Sequence, residues 1–173
     1  AMAHDLVVMS RTGYSRTAGP EEKLDPLVAQ VIRRSIRPVL VAGAAFPAAP
    51  GIRHILAAYD GSMHAGRALS TAAMLARCPG IACTLMTVAP TREDGEEMLA
   101  AAELFLLNHG VTPAKKIVVG NKPSEIICES VAEAGADILI MGAFGRSPVR
   151  EVFFGSTTRQ VLSHCATTVI LQY

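Results

Sequence analysis

Tryptophan is absent, and five phenylalanines with three tyrosines are the only other aromatic carbocycles among 173 residues. A stacking surface for single-stranded nucleic acid is built from aromatics, so that class of partner has no support here. Charge gives none either: 16 Lys and Arg against 15 Asp and Glu leave a formal charge of +1, without the excess of cations that duplex binding requires. No apolar stretch reaches the roughly 18 uncharged residues of a membrane-spanning helix, and the start has no basic segment followed by an apolar core and cleavage site. The expectation is a soluble, cytoplasmic protein with neither nucleic acid nor a membrane as partner. Cysteine is also sparse. Cys78, Cys83, Cys128 and Cys165 lack metal-ligand spacing such as C-x-x-C, and they read as small buried hydrophobes rather than as disulfide or redox residues. There is no H-E-x-x-H, no nucleophile elbow and no pair of acidic residues beside a glycine loop, so efficient hydrolysis has no visible apparatus.

What remains is an apolar chain, 50% hydrophobic, with enough material for one packed domain and not quite enough for two of ordinary size. From residue 52 onwards short apolar runs alternate with helical patterns. Strands are expected at 55–59, 83–88, 116–119, 137–141 and 168–172. Helices are expected at 65–76, 93–108, 123–134 and 155–164, the second closed by Gly110 and the third bracketed by Pro123 and Gly135. Strands separated by helices must run parallel and be covered on both faces, which gives a doubly wound α/β sheet.

The segment richest in chemical meaning follows the fourth of these strands. Gly142-x-x-Gly145 is separated by nine residues from Gly155-Ser156, which opens the last helix. Glycines let backbone N–H groups approach an anion, and a helix N-terminus offers unpaired donors and a partial positive charge, so the pattern suits a phosphate. It is neither the G-x-G-x-x-G of dinucleotide folds nor the P-loop, which needs a Lys before its closing Ser or Thr. The alternative is that the glycines only permit a tight turn and close packing of strand on helix.

In its spacing and its place after a fourth strand, the motif resembles the ATP-binding pattern of the universal stress protein family. The likeness continues through Ile55-Leu-Ala-Ala-Tyr-Asp60-Gly-Ser62, Cys83-Thr-Leu-Met-Thr-Val88-Ala89, Val118-Val-Gly120-x-x-Pro123-x-x-x-Ile127 and Thr168-Val-Ile-Leu-Gln172. It implies a five-stranded parallel sheet of order 3-2-1-4-5, the adenine nucleotide alpha hydrolase-like arrangement, with Asp60 and Gly142 facing one crevice at the switch point. It also implies an adenine nucleotide, ATP or else ADP or AMP, with Mg²⁺ as a companion. Asp60 and Val88 would edge the adenine and ribose pocket, beside Ala58 and Tyr59. Met141, Gly142 and Phe144 would cover the ribose, Gly145 would make the phosphate turn, and Gly155, Ser156, Thr157 and Thr158 would hold the phosphates. Phe144 stands where the family often has His. Arg146 and Arg150 are read either as cations for the phosphates or as solvated loop charges. Asp60 is read either as a nucleotide contact or as a turn residue before Gly61.

Residues 1–51 carry an internal repeat. His4-Asp5-Leu-Val-Val-Met9-Ser10-x-x-Gly13 aligns with Ala136-Asp137-Ile-Leu-Ile-Met141-Gly142-x-x-Gly145, and the run from Val31 to Ala42 aligns with that from Val161 to Gln172. Residues 1–43 therefore read as the C-terminal remnant of a first such domain, two strands and a helix, joined by an Ala- and Pro-rich linker at 44–51 to a complete domain at 52–173. In this tail Ser10 replaces the first glycine and Asp25-Pro26 replaces Gly-Ser, so a carboxylate takes the place of a phosphate and no nucleotide is expected. The resemblance implies pairing of 38–42 with 168–172 across a homodimer or pseudo-dimer, since both runs would otherwise be open strand edges. The expected function is a regulatory, stress-response protein that binds an adenine nucleotide. The competing readings are an interaction module of the same fold without nucleotide, and a weak ATPase.

Overall fold

The computed structural model describes residues 5–11, 26–43, 51–143 and 155–173. In chain order the elements are β1 (Val7–Ser10), α1 (Pro26–Arg34), β2 (Val39–Ala42), β3 (His54–Ala58), α2 (Met63–Ala76), β4 (Ala82–Ala89), α3 (Arg92–Asn108), β5 (Ala114–Val119), α4 (Pro123–Ala134), β6 (Ile138–Gly142), α5 (Ser156–His164) and β7 (Thr168–Gln172). Local chemistry explains the helix ends. Ser62 caps α2 by accepting from the Ala65 amide at 3.1 Å, and Thr91 caps α3 by accepting from that of Asp94, also at 3.1 Å. Pro123 opens α4, and Gly135 closes it in the left-handed conformation at φ 58°.

All strands join one sheet, in the order β1-β2-β7-β6-β3-β4-β5. The expected sheet was five-stranded and wholly parallel, preceded by a separate partial copy; the observed sheet has seven strands and is mixed. The reason is the amino-terminal segment. Val39, Leu40 and Val41 are apolar on both faces and almost fully buried, so β2 is stable only inside a sheet, and it pairs antiparallel with β7. Neighbouring strands from β5 through β4, β3 and β6 to β7 are parallel, as are β1 and β2. Of the linker read at 44–51, residues 44–50 lie outside the described residues.

The register across the antiparallel seam is symmetric. Val39 faces Leu171, Leu40 faces Ile170 and Val41 faces Val169. In the internal alignment Val39 corresponds to Val169 and Val41 to Leu171, so the two segments exchange equivalent partners, as around a two-fold axis through Leu40 and Ile170. The parallel neighbours repeat the same register: Val7 with Val39 and Met9 with Val41 on one side, Leu139 with Val169 and Met141 with Leu171 on the other.

Helices cover both faces of the sheet. One core joins Ala68, Leu69 and Ala72 of α2 and Leu99, Ala102 and Leu106 of α3 to Ile55, Leu85, Ile138 and Ile140. The other joins Val28 and Ile32 of α1, Ile127 and Val131 of α4, and Val161 and Leu162 of α5 to Leu56, Met86, Leu139 and Leu171. The helix after β3 thus turns to one face and the helix after β6 to the other. Such a divergence opens a crevice at the carboxyl ends of the two strands.

At the opposite end, Asp137 ties β6 to β3 before either strand begins. Its carboxylate accepts from the amides of Arg53 at 2.8 Å and His54 at 2.9 Å, and these bonds hold its pKa below the usual carboxylate value. Because the folded-state value is depressed, this contribution to stability is complete above the ordinary carboxylate range and is lost as pH falls through the lowered value. Asp137→Ala is expected to cost about 1 kcal/mol at neutral pH, the site being largely solvated, and less in acid. Urea unfolding at neutral and acidic pH checks this; an equal loss at both would contradict it.

Candidate functional site

The crevice is built by close approach at Gly142. A Cβ there would lie 2.6 Å from the Ala65 amide nitrogen and 2.8 Å from the His64 carbonyl carbon, so only glycine lets the end of β6 rest on the first turn of α2. On the other side of β3, Asp60 folds its carboxylate back, accepting from the Ser62 amide at 3.0 Å, while Gly61 takes φ 76°. The Asp60 side chain therefore serves the turn, one of the two roles read for it, and it also lines the cavity.

That cavity has a volume of about 300 Å³. Eight of the residues named from the sequence line it: Ala58, Tyr59, Asp60, Val88, Met141, Gly142, Thr157 and Thr158. Gly155 and Ser156 stand at the start of α5 without lining it. Phe144, Gly145 and Arg146, with Arg150, lie outside the described residues. Seven lining residues were not named as site residues: Ala65, Met86, Thr87, Pro90, Met98, Pro123 and Ile127. Pro90 and Pro123 could have been placed from the rule that ligands sit beyond strand ends, because each follows a strand by a few residues. Met98 carried no such signal. It reaches the cavity from α3, where its sulfur accepts the Thr87 hydroxyl at 3.0 Å.

The walls are apolar and sulfur-rich, with the thioethers of Met86, Met98 and Met141 on one cavity, and the polar groups gather at its rim. Such a lining suits a flat, polarizable ring system held by a few directed hydrogen bonds. A shallower depression bounded by Val119, Gly120 and Asn121 continues from Val88, Pro90 and Pro123. At the opposite rim α5 begins at Gly155, and no side chain among the described residues caps it. Its first-turn amides are oriented out of the helix toward that rim, with the positive end of the helix dipole. The Thr158 hydroxyl is already committed as a donor, to the Ala143 carbonyl at 2.7 Å, and so pins α5 to the end of β6. Thr157 is partly exposed.

His64 sits beside this rim, its ring 5.0 Å from that of Tyr173. Burial lowers its pKa, Arg67 lowers it further, and Asp60 opposes both. At neutral pH its imidazole is therefore uncharged, and it supplies no cation to an anion. Among the described residues no group of three or more His, Cys, Asp or Glu side chains converges to hold a metal.

Residues 92–171 match the model of the universal stress protein family. A universal stress protein of Synechocystis sp. is 28% identical over 96% of this chain and 57% of its own length. One of Thermus aquaticus is 29% identical over 68% of this chain and 96% of its own length. The family match covers a little under half of the chain, and these two relatives extend the similarity to universal stress proteins over most of its length. It spans little more than half of the Synechocystis relative. Among solved structures, a universal stress protein from Archaeoglobus fulgidus superposes with a TM-score of 0.75 over 97% of this chain and 60% of its own, at 22% identity. A universal stress protein in complex with cAMP superposes with a TM-score of 0.61 over 70% of this chain and 98% of its own, at 24% identity. At these identities the likeness establishes the fold, a Rossmann-like α/β unit with a mainly parallel sheet. No described helix is long and apolar enough to cross a membrane.

The Gly142 contact can be tested directly. Gly142→Ala places a methyl group against backbone atoms that cannot move without displacing α2, and a cost of about 1–3 kcal/mol is expected. The denaturant midpoint should fall with the slope unchanged. A wild-type midpoint would mean that β6 does not rest on α2 in this way.

Proposed function

We propose that the chain binds an adenine nucleotide, ATP before ADP or AMP, in the crevice between β3 and β6, and acts as a regulatory stress-response protein. The observation that carries this reading is the pairing of an apolar, methionine-lined cavity with the N-terminus of α5 at its rim, where the N-cap residue is Gly155 and brings no side chain. A cavity of about 300 Å³ accommodates a base and part of a sugar, and leaves the phosphates to the first turn of α5. A structural neighbour is a universal stress protein in complex with cAMP, which supports an adenine nucleotide as the class of ligand. Mg²⁺ would enter as the counter-ion of the nucleotide's phosphates. The site residues are those read from the sequence, with Val88 offering backbone groups to the base and Ser156 and Thr157 their amides and hydroxyls to phosphate. The role proposed is binding rather than turnover.

The amino-terminal segment is proposed to be the end of a first domain of the same kind, with residues 52–173 forming a second, complete one. The matched register of β1 with β2 and of β6 with β7, and the symmetric seam between β2 and β7, support a pseudo-dimer of two domain ends. Of the two arrangements expected for these strands, homodimer or pseudo-dimer, the pairing of β2 with β7 within the chain favours the second.

Thr157→Asp separates phosphate recognition from folding. An acidic residue in a first helical turn favours the helix, so stability should be retained, but it opposes a phosphate at the same amides. Calorimetric affinity for ATP is expected to drop about tenfold, equivalent to about 1.4 kcal/mol, with adenosine affinity unchanged. Equal affinities of the wild-type protein for ATP and adenosine would overturn the phosphate assignment.

A further inference from the structure

The seam between β2 and β7 has two ends, and arginines stand at both. Where β7 begins, the Arg11 guanidinium donates to the carbonyls of Leu162, at 3.1 Å, and Thr167, and is consumed within the fold. At the other end, the register that sets Val39 opposite Leu171 brings the loop between α1 and β2 beside Gln172 and Tyr173. Arg33 and Arg34 end α1 on one face of the sheet, and Arg67 lies in the second turn of α2 on the other. These three residues, with Ile36, Gln172 and Tyr173, line a groove of about 520 Å³.

The groove is held in shape by its own bonds. Ser35 is buried, and its hydroxyl donates to the Arg37 carbonyl at 2.8 Å and accepts from the Arg37 amide at 3.2 Å, which fixes the loop. Arg67 donates to the Tyr173 carbonyl at 2.7 Å. Among the described residues no Asp or Glu lines the groove, so cations of α1 and α2 face one another, and an anion from outside relieves their repulsion. Two further features define that anion. Ile36 is 66% exposed and Tyr173 39%, an apolar margin beside the charges. Gln172, one wall of the groove, has its Oε1 buried with no hydrogen-bond partner, and this acceptor calls for a donor. A phosphate dianion has no donor to give. A peptide brings both groups, carboxylates for the guanidinium forks and a backbone N–H for the amide oxygen. Arginine and tyrosine are also enriched where proteins bind one another.

We propose that this groove docks an acidic segment of a partner protein, with carboxylates on Arg33, Arg34 and Arg67 and an apolar side chain against Ile36 and Tyr173. The groove and the crevice share no lining residue, so the docking does not rest on the nucleotide reading. His64 touches both, its ring meeting Tyr173 and its backbone the seat of Gly142.

The test uses the full chain and two labelled peptides of equal length, one alternating Glu with Leu and the other Gln with Leu, read by fluorescence anisotropy and by amide chemical shifts. The glutamate peptide is expected to bind saturably, to shift the amides of Ser35, Ile36, Gln172 and Tyr173, and to weaken as salt rises. Arg34 is exposed, so Arg34→Glu keeps the fold, and it should lower the affinity by about tenfold or more. Equal binding of the two peptides, no saturable binding of the glutamate peptide, or an unchanged affinity in Arg34→Glu would overturn the proposal. So would displacement of the peptide by equimolar pyrophosphate with the same amide shifts, which makes the groove a site for small anions. Self-association in sedimentation that the peptide suppresses would give the groove to a second copy of the chain, and would overturn it too.

Discussion

The crevice depends on one contact, the seating of Gly142 against the first turn of α2. β6 lies beside β3 in parallel register, so its end and the start of the helix leaving β3 compete for the same space. With no side chain at Gly142 the two backbones settle into contact. α5 then covers the opposite face of the sheet, and its N-terminus arrives at the rim of the cavity that α2 and β3 wall from the other side. A side chain at this one position would separate the strand end from the helix and displace the cavity wall from the N-terminus of α5.

The second constraint is at the far edge of the parallel strands. β7 is apolar on both faces, with Val169, Ile170 and Leu171 at 2% exposure or less, and such a strand needs a neighbour on each side. β2, equally apolar, supplies one in antiparallel register, and their symmetry makes the seam self-complementary. β7 flanks β6, whose last residues Met141 and Gly142 line the cavity, so the amino-terminal segment supports the site without lining it. Arg11 extends that influence to the end of α5.

Much of this was legible before any coordinates. α4 has the bounds expected from Pro123 and Gly135, because proline and glycine act locally at helix ends. Asp60 and Gly142, at the ends of strands, were placed at one crevice by the switch-point rule applied to the strand order that the family resemblance implied. The count of seven strands was not legible, although the pairing of 38–42 with 168–172 that produces it was implied by the resemblance; whether that pairing closes within one chain depends on distant contacts rather than on local pattern. Met98 and Ile127 escaped for a related reason: a helix face toward a cavity has the same periodicity as one toward the core. The cysteines show the limit of composition most clearly. Cys83 and Cys165 are buried small residues, as expected of all four, whereas Cys128 is half-buried and Cys78 exposed.

The central claim is that one crevice recognises both the base and the phosphates of an adenine nucleotide. Titration of nitrogen-labelled protein with ATP, followed by amide chemical shifts, tests it most directly. The account predicts the largest changes at Asp60 and Val88 for the base and sugar and at Ser156, Thr157 and Thr158 for the phosphates, with only the first group shifting under adenosine. Changes concentrated elsewhere, such as at the arginine-lined groove of Arg33, Arg34 and Arg67, or no changes at millimolar ATP, would contradict it.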